Sequence, residues 1–402
     1  MIMNNKPISD LYLDACATSP PYESVVRELV TVNNNFWANS SSIHNHGIQS
    51  SYIVEKSRKY IASKLNIKSE QIIFTSGATN SIDLLFREVS STFSSGRIVV
   101  TTVEHPCVYN ALKTFNSDKW TIDYWEVDKT GIIKLENIDK YLRNDTKFVS
   151  LIWGQSEIGS VQPIKYITKL CREKNIIVHI DATQVFSQGI VDLSKLDYDF
   201  ISLSAHKFRG PVGVGMLICN HKYSTERTTD NLYKLSTYSF KNGTQSAPLI
   251  SAMKKAFEYL DNHITVNEHD TIFKDNYISR MTNNLIIELL KIDGVELIGH
   301  RTKRLPHHIS FTITDINDRP VSSRSFIRLL SNNGISASSG TACTAKDEHD
   351  SSVLKAIGIS KKYRQSVIRL SLGNWIKESD FEQILFIIKK TIAYSRTNCG
   401  HE

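Results

Sequence analysis

The chain has 402 residues, with 48 Lys and Arg against 41 Asp and Glu and a formal net charge of +7. That length is large for one hydrophobic core and predicts two packed parts. The 41% hydrophobic and 22% charged content is ordinary for a globular chain, with no Lys/Arg block for nucleic-acid binding and no apolar run long enough for a membrane span.

The opening "MIMNNKPISDLYLDACATSP" has no basic region followed by a long apolar core. It does not read as a secretory signal, and a cytoplasmic location is expected. Six cysteines (Cys16, Cys107, Cys171, Cys219, Cys343 and Cys399) are scattered without a CxxC pair. Free thiols are expected, with no structural zinc site and no other metal.

Next, "QIIFTSGATNSIDLLFREV" predicts a strand at about 71–75, a turn of small residues and an amphipathic helix. "RIVVTTVEHP" predicts a strand ending near Glu104 and His105, and "KFVSLIWGQSEIGSVQ" one ending near Gln155. A helix is expected over 161–174. "NIIVHIDATQ" gives a strand ending at Asp181, "DFISLSAHK" one ending near Lys207, and "GVGMLIC" a sixth. This alternation predicts an α/β fold with a mostly parallel mixed sheet and helices on its faces.

After about 250 the texture changes. The stretch "LISAMKKAFEYLDNHITVNEHDTIFKDNYISRMTNNLIIELLKI" reads as long and helical. Short strands in "GVELIG", "LPHHISFTI" and "SVIRLSLG", with helices near 322–332 and 379–394, predict a smaller α+β domain. The expected division is an N-terminal segment, 1–20, packing near the active site; a large domain, 21–255; and a small domain, 256–402.

Open α/β sheets bind ligands beyond the carboxyl ends of their strands. Gly77, Thr79, His105, Gln155, Asp181, Gln184, Ser204, His206 and Lys207 are therefore expected to converge. The turn "TSGATNS" lets backbone N–H groups and a helix N-terminus approach a phosphate. Its single glycine fits neither the dinucleotide-binding nor the P-loop spacing. Asp181 alone would also suit a helix cap. Followed one strand later by Lys207, it suits a carboxylate paired with a pyridinium nitrogen, with Lys207 holding an aldehyde. Gln184 would meet the ring's phenolic oxygen, Ser204 and His206 the phosphate, and His105 the ring face. The constellation points to pyridoxal 5′-phosphate.

At this point the chain resembles the cysteine desulfurases, of the NifS/IscS-like type within the class V aminotransferases. "LYLDACATSP", "SSIHNHG", "FTSGATNS", "EHPCV", "HIDATQ", "SLSAHKFRGPVGVG", "SSGTACTA" and "VIRLSLG" resemble successive family motifs in the same order. The resemblance implies the type I fold of pyridoxal-phosphate-dependent aminotransferases. It implies that Lys207 carries the cofactor, that Asp181 meets the pyridine nitrogen and that Gln184 meets the phenolic oxygen. His105 would stack on the ring and assist proton transfer, Ala78, Thr79, Ser204 and His206 would hold the phosphate, and Ser156 would face the ring. Thr244, in "KNGTQ", would reach the phosphate of the other protomer of a homodimer. Arg369 and Asn39 would bind substrate. Cys343 would be the nucleophile.

The implied reaction converts L-cysteine to alanine and leaves sulfane sulfur as a persulfide on Cys343. A protein acceptor would take that sulfur toward iron–sulfur clusters, thiolated tRNA or DNA phosphorothioation; direct nucleic-acid binding and a membrane are not expected. The chain departs from the family at Ala15 and Cys16, at Asn80 and Ser156, at Lys241 in an arginine's place, and in a missing glycine-rich stretch. A specialised branch is therefore expected. Two other readings stand beside this one. A selenocysteine lyase, or another lyase or aminotransferase of the same fold, would use Lys207 without needing Cys343. A non-catalytic sulfur-transfer scaffold would need neither, and the Asp181/Lys207 pair argues against it.

Overall fold

The computed structural model describes residues 11–224, 243–260, 264–266, 272–273, 276–340 and 350–398. Its strands in chain order begin with β1 (Leu11–Tyr12). Seven strands of one large sheet follow: β2 (Ile72–Thr75), β3 (Gly96–Thr101), β4 (Trp120–Trp125), β5 (Thr146–Ile152), β6 (Ile177–Asp181), β7 (Phe200–Ser204) and β8 (Gly215–Cys219). Their order is β2-β8-β7-β6-β5-β3-β4. All neighbours are parallel except β8, which runs antiparallel to both β2 and β7.

The central strands are buried on both faces, which is why β6, β7 and β8 read as continuous apolar runs. The helix Ala78–Thr92 buries Ile82, Leu85, Phe86 and Val89, a spacing that puts one stripe against the sheet. The helix Ile164–Glu173 does the same with Ile164, Ile167 and Cys171. Strand β4 was not legible beforehand; it lies at the sheet edge, and its middle residues are only partly covered.

The predicted long helical stretch after 250 is corrected. The helix Ala247–Phe257 ends there, and a short antiparallel pair, β9 (Thr265–Val266) with β10 (Ile272–Phe273), intervenes. A new helix, Tyr277–Leu289, then starts, capped by Asn276, whose side chain accepts from the Ser279 amide. A second sheet has the order β11 (Val295–Leu297), β12 (His308–Ile313), β15 (Ile368–Ser371), β14 (Ser338–Ser339), all antiparallel. Its apolar cluster draws on the helices Tyr277–Leu289, Ser323–Asn332 and Phe381–Asn398.

Strand β1 joins this second part from the far end of the sequence. It pairs in parallel with β13 (Ile335–Ser336), and Leu13 enters the same apolar cluster. Residues 14–20 then cross to the large sheet, where the Ser19 amide donates to the His206 carbonyl. The N-terminal segment is thus a strap over both sheets. Among the described residues, no helix is long and apolar enough to cross a membrane.

Candidate active site

The carboxyl ends of the parallel strands open on one edge of the large sheet. Asp181 is the last residue of β6 and is only 6% exposed. Its Oδ1 accepts from the Thr183 amide at 3.0 Å. Ser204 ends β7, and Lys207 lies beyond it in the short 3-10 turn Ala205–Phe208, not at the strand end itself. His105 likewise stands past the end of β3, which stops at Thr101.

Lys207 Nζ donates to the carbonyls of Cys16 at 2.6 Å and Ala17 at 2.8 Å, both on the strap. Gln184 Nε2 donates to the same Cys16 carbonyl at 3.0 Å, while Gln184 Oε1 is buried with no hydrogen-bond partner among the described residues. Ser19 Oγ donates to the Lys207 carbonyl. The lysine, the glutamine and the strap therefore meet at one carbonyl oxygen. His206 Nδ1 lies 3.1 Å from Thr18 Oγ1, and burial together with nearby Lys207 takes its pKa down to about 4.

The turn before the helix Ala78–Thr92 is built for close approach. Gly77 caps the helix with φ of 149° and no side-chain cap. Gly215, opposite both Thr75 and Ser204, has no room for a Cβ, which would lie 2.4 Å from the Leu203 carbonyl and 2.6 Å from Gly77 Cα. First-turn amides and the positive end of a 15-residue helix are left facing this cradle. Thr79 is exposed there, near Cys107. Gly243, Thr244 and Gln245 line the same cleft as Ser76 and Asn80.

Arg369 is on β15, 3% exposed, with Nη2 2.8 Å from Asp14 Oδ1 and Nη1 donating to the Ser156 carbonyl at 3.1 Å. Its buried Nε has no partner. Burial opposes its charge, but Cys16 and Asp14 outweigh burial and raise its pKa. Ser156 enters the site through its carbonyl, which His308 Nε2 also meets. Asn39 is exposed, and its Oδ1 serves the Ser41 amide in a local turn. Cys343 and Lys241 lie outside the described residues.

Four participants escaped sequence reasoning. Asp14 pairs with Arg369. Cys16 supplies the shared carbonyl, and its Sγ lies 3.4 Å from His307 Nε2; burial raises its thiol pKa. Cys107 Sγ is 2.9 Å from His105 Nδ1. Glu104, fully buried, accepts from Thr101 Oγ1 at 2.6 Å and from the Ile152 amide at 2.9 Å. Burial pushes its carboxyl up to about 8, with Asp181 adding to the rise. The signal for Cys16 was its departure from the family motif; for the others no local pattern singles them out.

These residues fit pyridoxal phosphate. A buried carboxylate, a lysine amine, an orphaned Gln184 oxygen and an uncapped helix N-terminus stand at one edge. The profile of the class V aminotransferase family matches residues 11–384. A cysteine desulfurase IscS of Vibrio vulnificus (strain CMCP6) is 30% identical over 389 residues, covering 94% of this chain and 93% of that protein. The mitochondrial cysteine desulfurase of Eremothecium gossypii is 28% identical over 394 residues, covering 96% of this chain and 76% of its own length. A solved NifS-like protein superposes with a TM-score of 0.79 at 27% identity, covering 96% of this chain and all of that one. The chain belongs to the class V aminotransferases and, within them, to the cysteine desulfurase family. Enzymes of this family depend on pyridoxal 5′-phosphate.

Proposed function

We propose that this enzyme removes sulfur from L-cysteine, holds it on Cys343 and passes it to an acceptor protein. The observation that carries the reading is the Lys207 amine, set against the Cys16 and Ala17 carbonyls beside buried Asp181 and Gln184. Pyridoxal phosphate, when bound, supplies an aldehyde for the substrate amine and a ring that holds the electron pair left at the substrate carbon. Asp181 keeps the ring nitrogen protonated, and the Gly77 turn with Ser204 and His206 holds the phosphate. Arg369 offers its remaining guanidinium donors to the substrate carboxylate, beside the bond it already makes to Asp14.

Lys207 Nζ is the group that would take the substrate Cα proton and return a proton later. The Cys343 thiolate attacks the substrate sulfur; the Cβ–S bond breaks as the S–S bond forms. Cysteine and the Cys343 thiol become alanine and a Cys343 persulfide, with every atom and electron accounted for. Iron–sulfur clusters, a thiolated tRNA and phosphorothioated DNA are the destinations considered for that sulfur.

The test is to supply the purified enzyme with L-cysteine and measure alanine and added sulfur together. One alanine should form per sulfur placed on Cys343. Cys343→Ser should keep its bound cofactor and lose the persulfide and most alanine release. Arg369→Lys should raise KM for cysteine more than it lowers kcat, because the planar fork is lost. Wild-type alanine release by Cys343→Ser would move the reading to a lyase of the same fold, and L-selenocysteine in the same assay separates those substrates.

The working form is proposed to be a homodimer. Ile43, Ile48 and Tyr52 expose apolar surface around one shallow depression, and nearby Trp37, 68% exposed, stacks on His46. Thr244, exposed at the edge of the phosphate turn, is the candidate to act across the interface. Light scattering should give twice the chain mass, and a fully active monomer would refute it.

A further inference from the structure

We propose that Cys107 is a positioning residue that fixes His105 as the neutral tautomer protonated on Nε2, so that His105 serves the reaction as a hydrogen-bond donor and ring-stacking group while proton abstraction falls to Lys207. The inference rests on the function proposed above for this site, and concerns what the family-wide histidine does in this particular chain.

The geometry follows from "EHPCV". His105 is the N-cap of the helix Pro106–Ala111. Proline at the first helical position has no N–H, so the Cys107 amide is the first one free to be capped. That amide donates to His105 Nδ1 at 3.2 Å. A backbone N–H can only donate, so this 3.2 Å contact favours an accepting Nδ1, and the side chain at 107 decides how strongly. An accepting Nδ1 leaves the ring proton on Nε2. The Cys107 thiol reaches the same Nδ1 at 2.9 Å and can direct S–H toward it. Two donors thus converge on one ring nitrogen.

The charged surroundings agree with a neutral ring and an un-ionised thiol. Around His105, burial favours the neutral imidazole and the Lys207 charge adds to that, while Asp181 works the other way; the ring's pKa falls below its ordinary value. Around Cys107, burial, Asp181 and Glu104 all disfavour a thiolate, with nearby Thr79 working the other way. Protonating Nδ1 would require the Cys107 amide to lose its acceptor and the thiol to turn its hydrogen away. A general base at Nε2 would require the opposite tautomer, which the amide and the thiol together oppose.

Nitrogen-15 spectra of selectively labelled histidine, read on the cofactor-loaded enzyme with a His105→Gln protein for assignment, test this without using turnover. The expected result is a pyrrole-type Nε2 and a pyridine-type Nδ1 for His105, with any protonation displaced to lower pH than that of a free histidine. Cys107→Ser should keep that single tautomer, because a hydroxyl can still donate. Cys107→Ala should give a mixture of tautomers. Cys107→Asp should invert the pattern, drawing a proton to Nδ1 and raising the ring's pKa. An Nδ1–H tautomer in the wild type, or a ring that titrates like free histidine, overturns the proposal. So does a Cys107→Ala spectrum identical to the wild type, since the amide alone would then suffice. If the proposed function were wrong, L-cysteine would leave no persulfide on Cys343 whatever the tautomer, so the two failures are distinct.

Discussion

Lys207→Ala will abolish covalent retention of the cofactor and lower turnover of L-cysteine by roughly a thousandfold or more, the scale of a lost proton-transfer group together with lost anchoring. Its amine is placed by two strap carbonyls, at 2.6 and 2.8 Å, so no other lysine inherits its position. Borohydride reduction and peptide mass analysis of the wild type should find the reduced cofactor on Lys207. The variant should show none. Reduced cofactor on a different lysine, or turnover within about tenfold of wild type, would remove Lys207 from its role.

Glu104→Gln will make the protein more stable at pH 8.5 and leave it almost unchanged at pH 5. The sign follows from burial. Glu104 stays protonated up to about 8, while the same carboxyl in the unfolded chain ionises near its model value of 4.5. A carboxyl whose folded pKa is raised contributes its full share below the unfolded value and loses it as pH rises through the folded value. The window therefore runs from about 4.5 to about 8, and the loss across it is on the order of a few kcal/mol. Glutamine mimics the protonated acid and keeps an oxygen for the Thr101 hydroxyl and the Ile152 amide. Glu157, half-buried and pushed up to about 7 by desolvation, shares the trend and leaves a residual pH dependence. Chemical denaturation at the two pH values checks this. A stabilisation of equal size at both would mean that ionisation is not its source.

The large sheet was readable because buried parallel strands write themselves as apolar runs, as in "IIVHI" and "FISLS". The polar residues just past those runs marked the site. Boundaries were less legible. His105 and Lys207 each lie a few residues beyond the strands credited with them, in turns whose geometry depends on caps and contacts rather than on hydrophobic period. The apolar residues on either side of 261–276 masked a break, because "NEHDTIFKDN" carries no proline or glycine to announce one.

Least legible was the strap. Asp14 and Arg369 stand 355 residues apart in sequence, and no local pattern couples them. Cys16 acts on Lys207 and Gln184 through a backbone carbonyl, which every residue type possesses. Cys107 was hidden for a related reason. A single cysteine is ordinarily a small core residue, and only the capped turn brings its sulfur to His105 Nδ1.

The same strap sets an order of events during synthesis. Residues 11–20 leave the ribosome long before their partners at Ile335, Ser336, Arg369 and Ser371 are made. The sheet that carries Asp181 and Lys207 can assemble in between, as N-terminal parts generally do during translation. Until those partners exist, the strap that carries the two carbonyls is held beside Lys207 only from the large-sheet side, through Ser19. Closure over so long a loop costs little more than closure over a short one, since the entropy grows only with the logarithm of length; what it takes is time. A nascent chain thus exposes an amine not yet shaped for its aldehyde, and the seat is finished only when the strap and the second sheet have been drawn together.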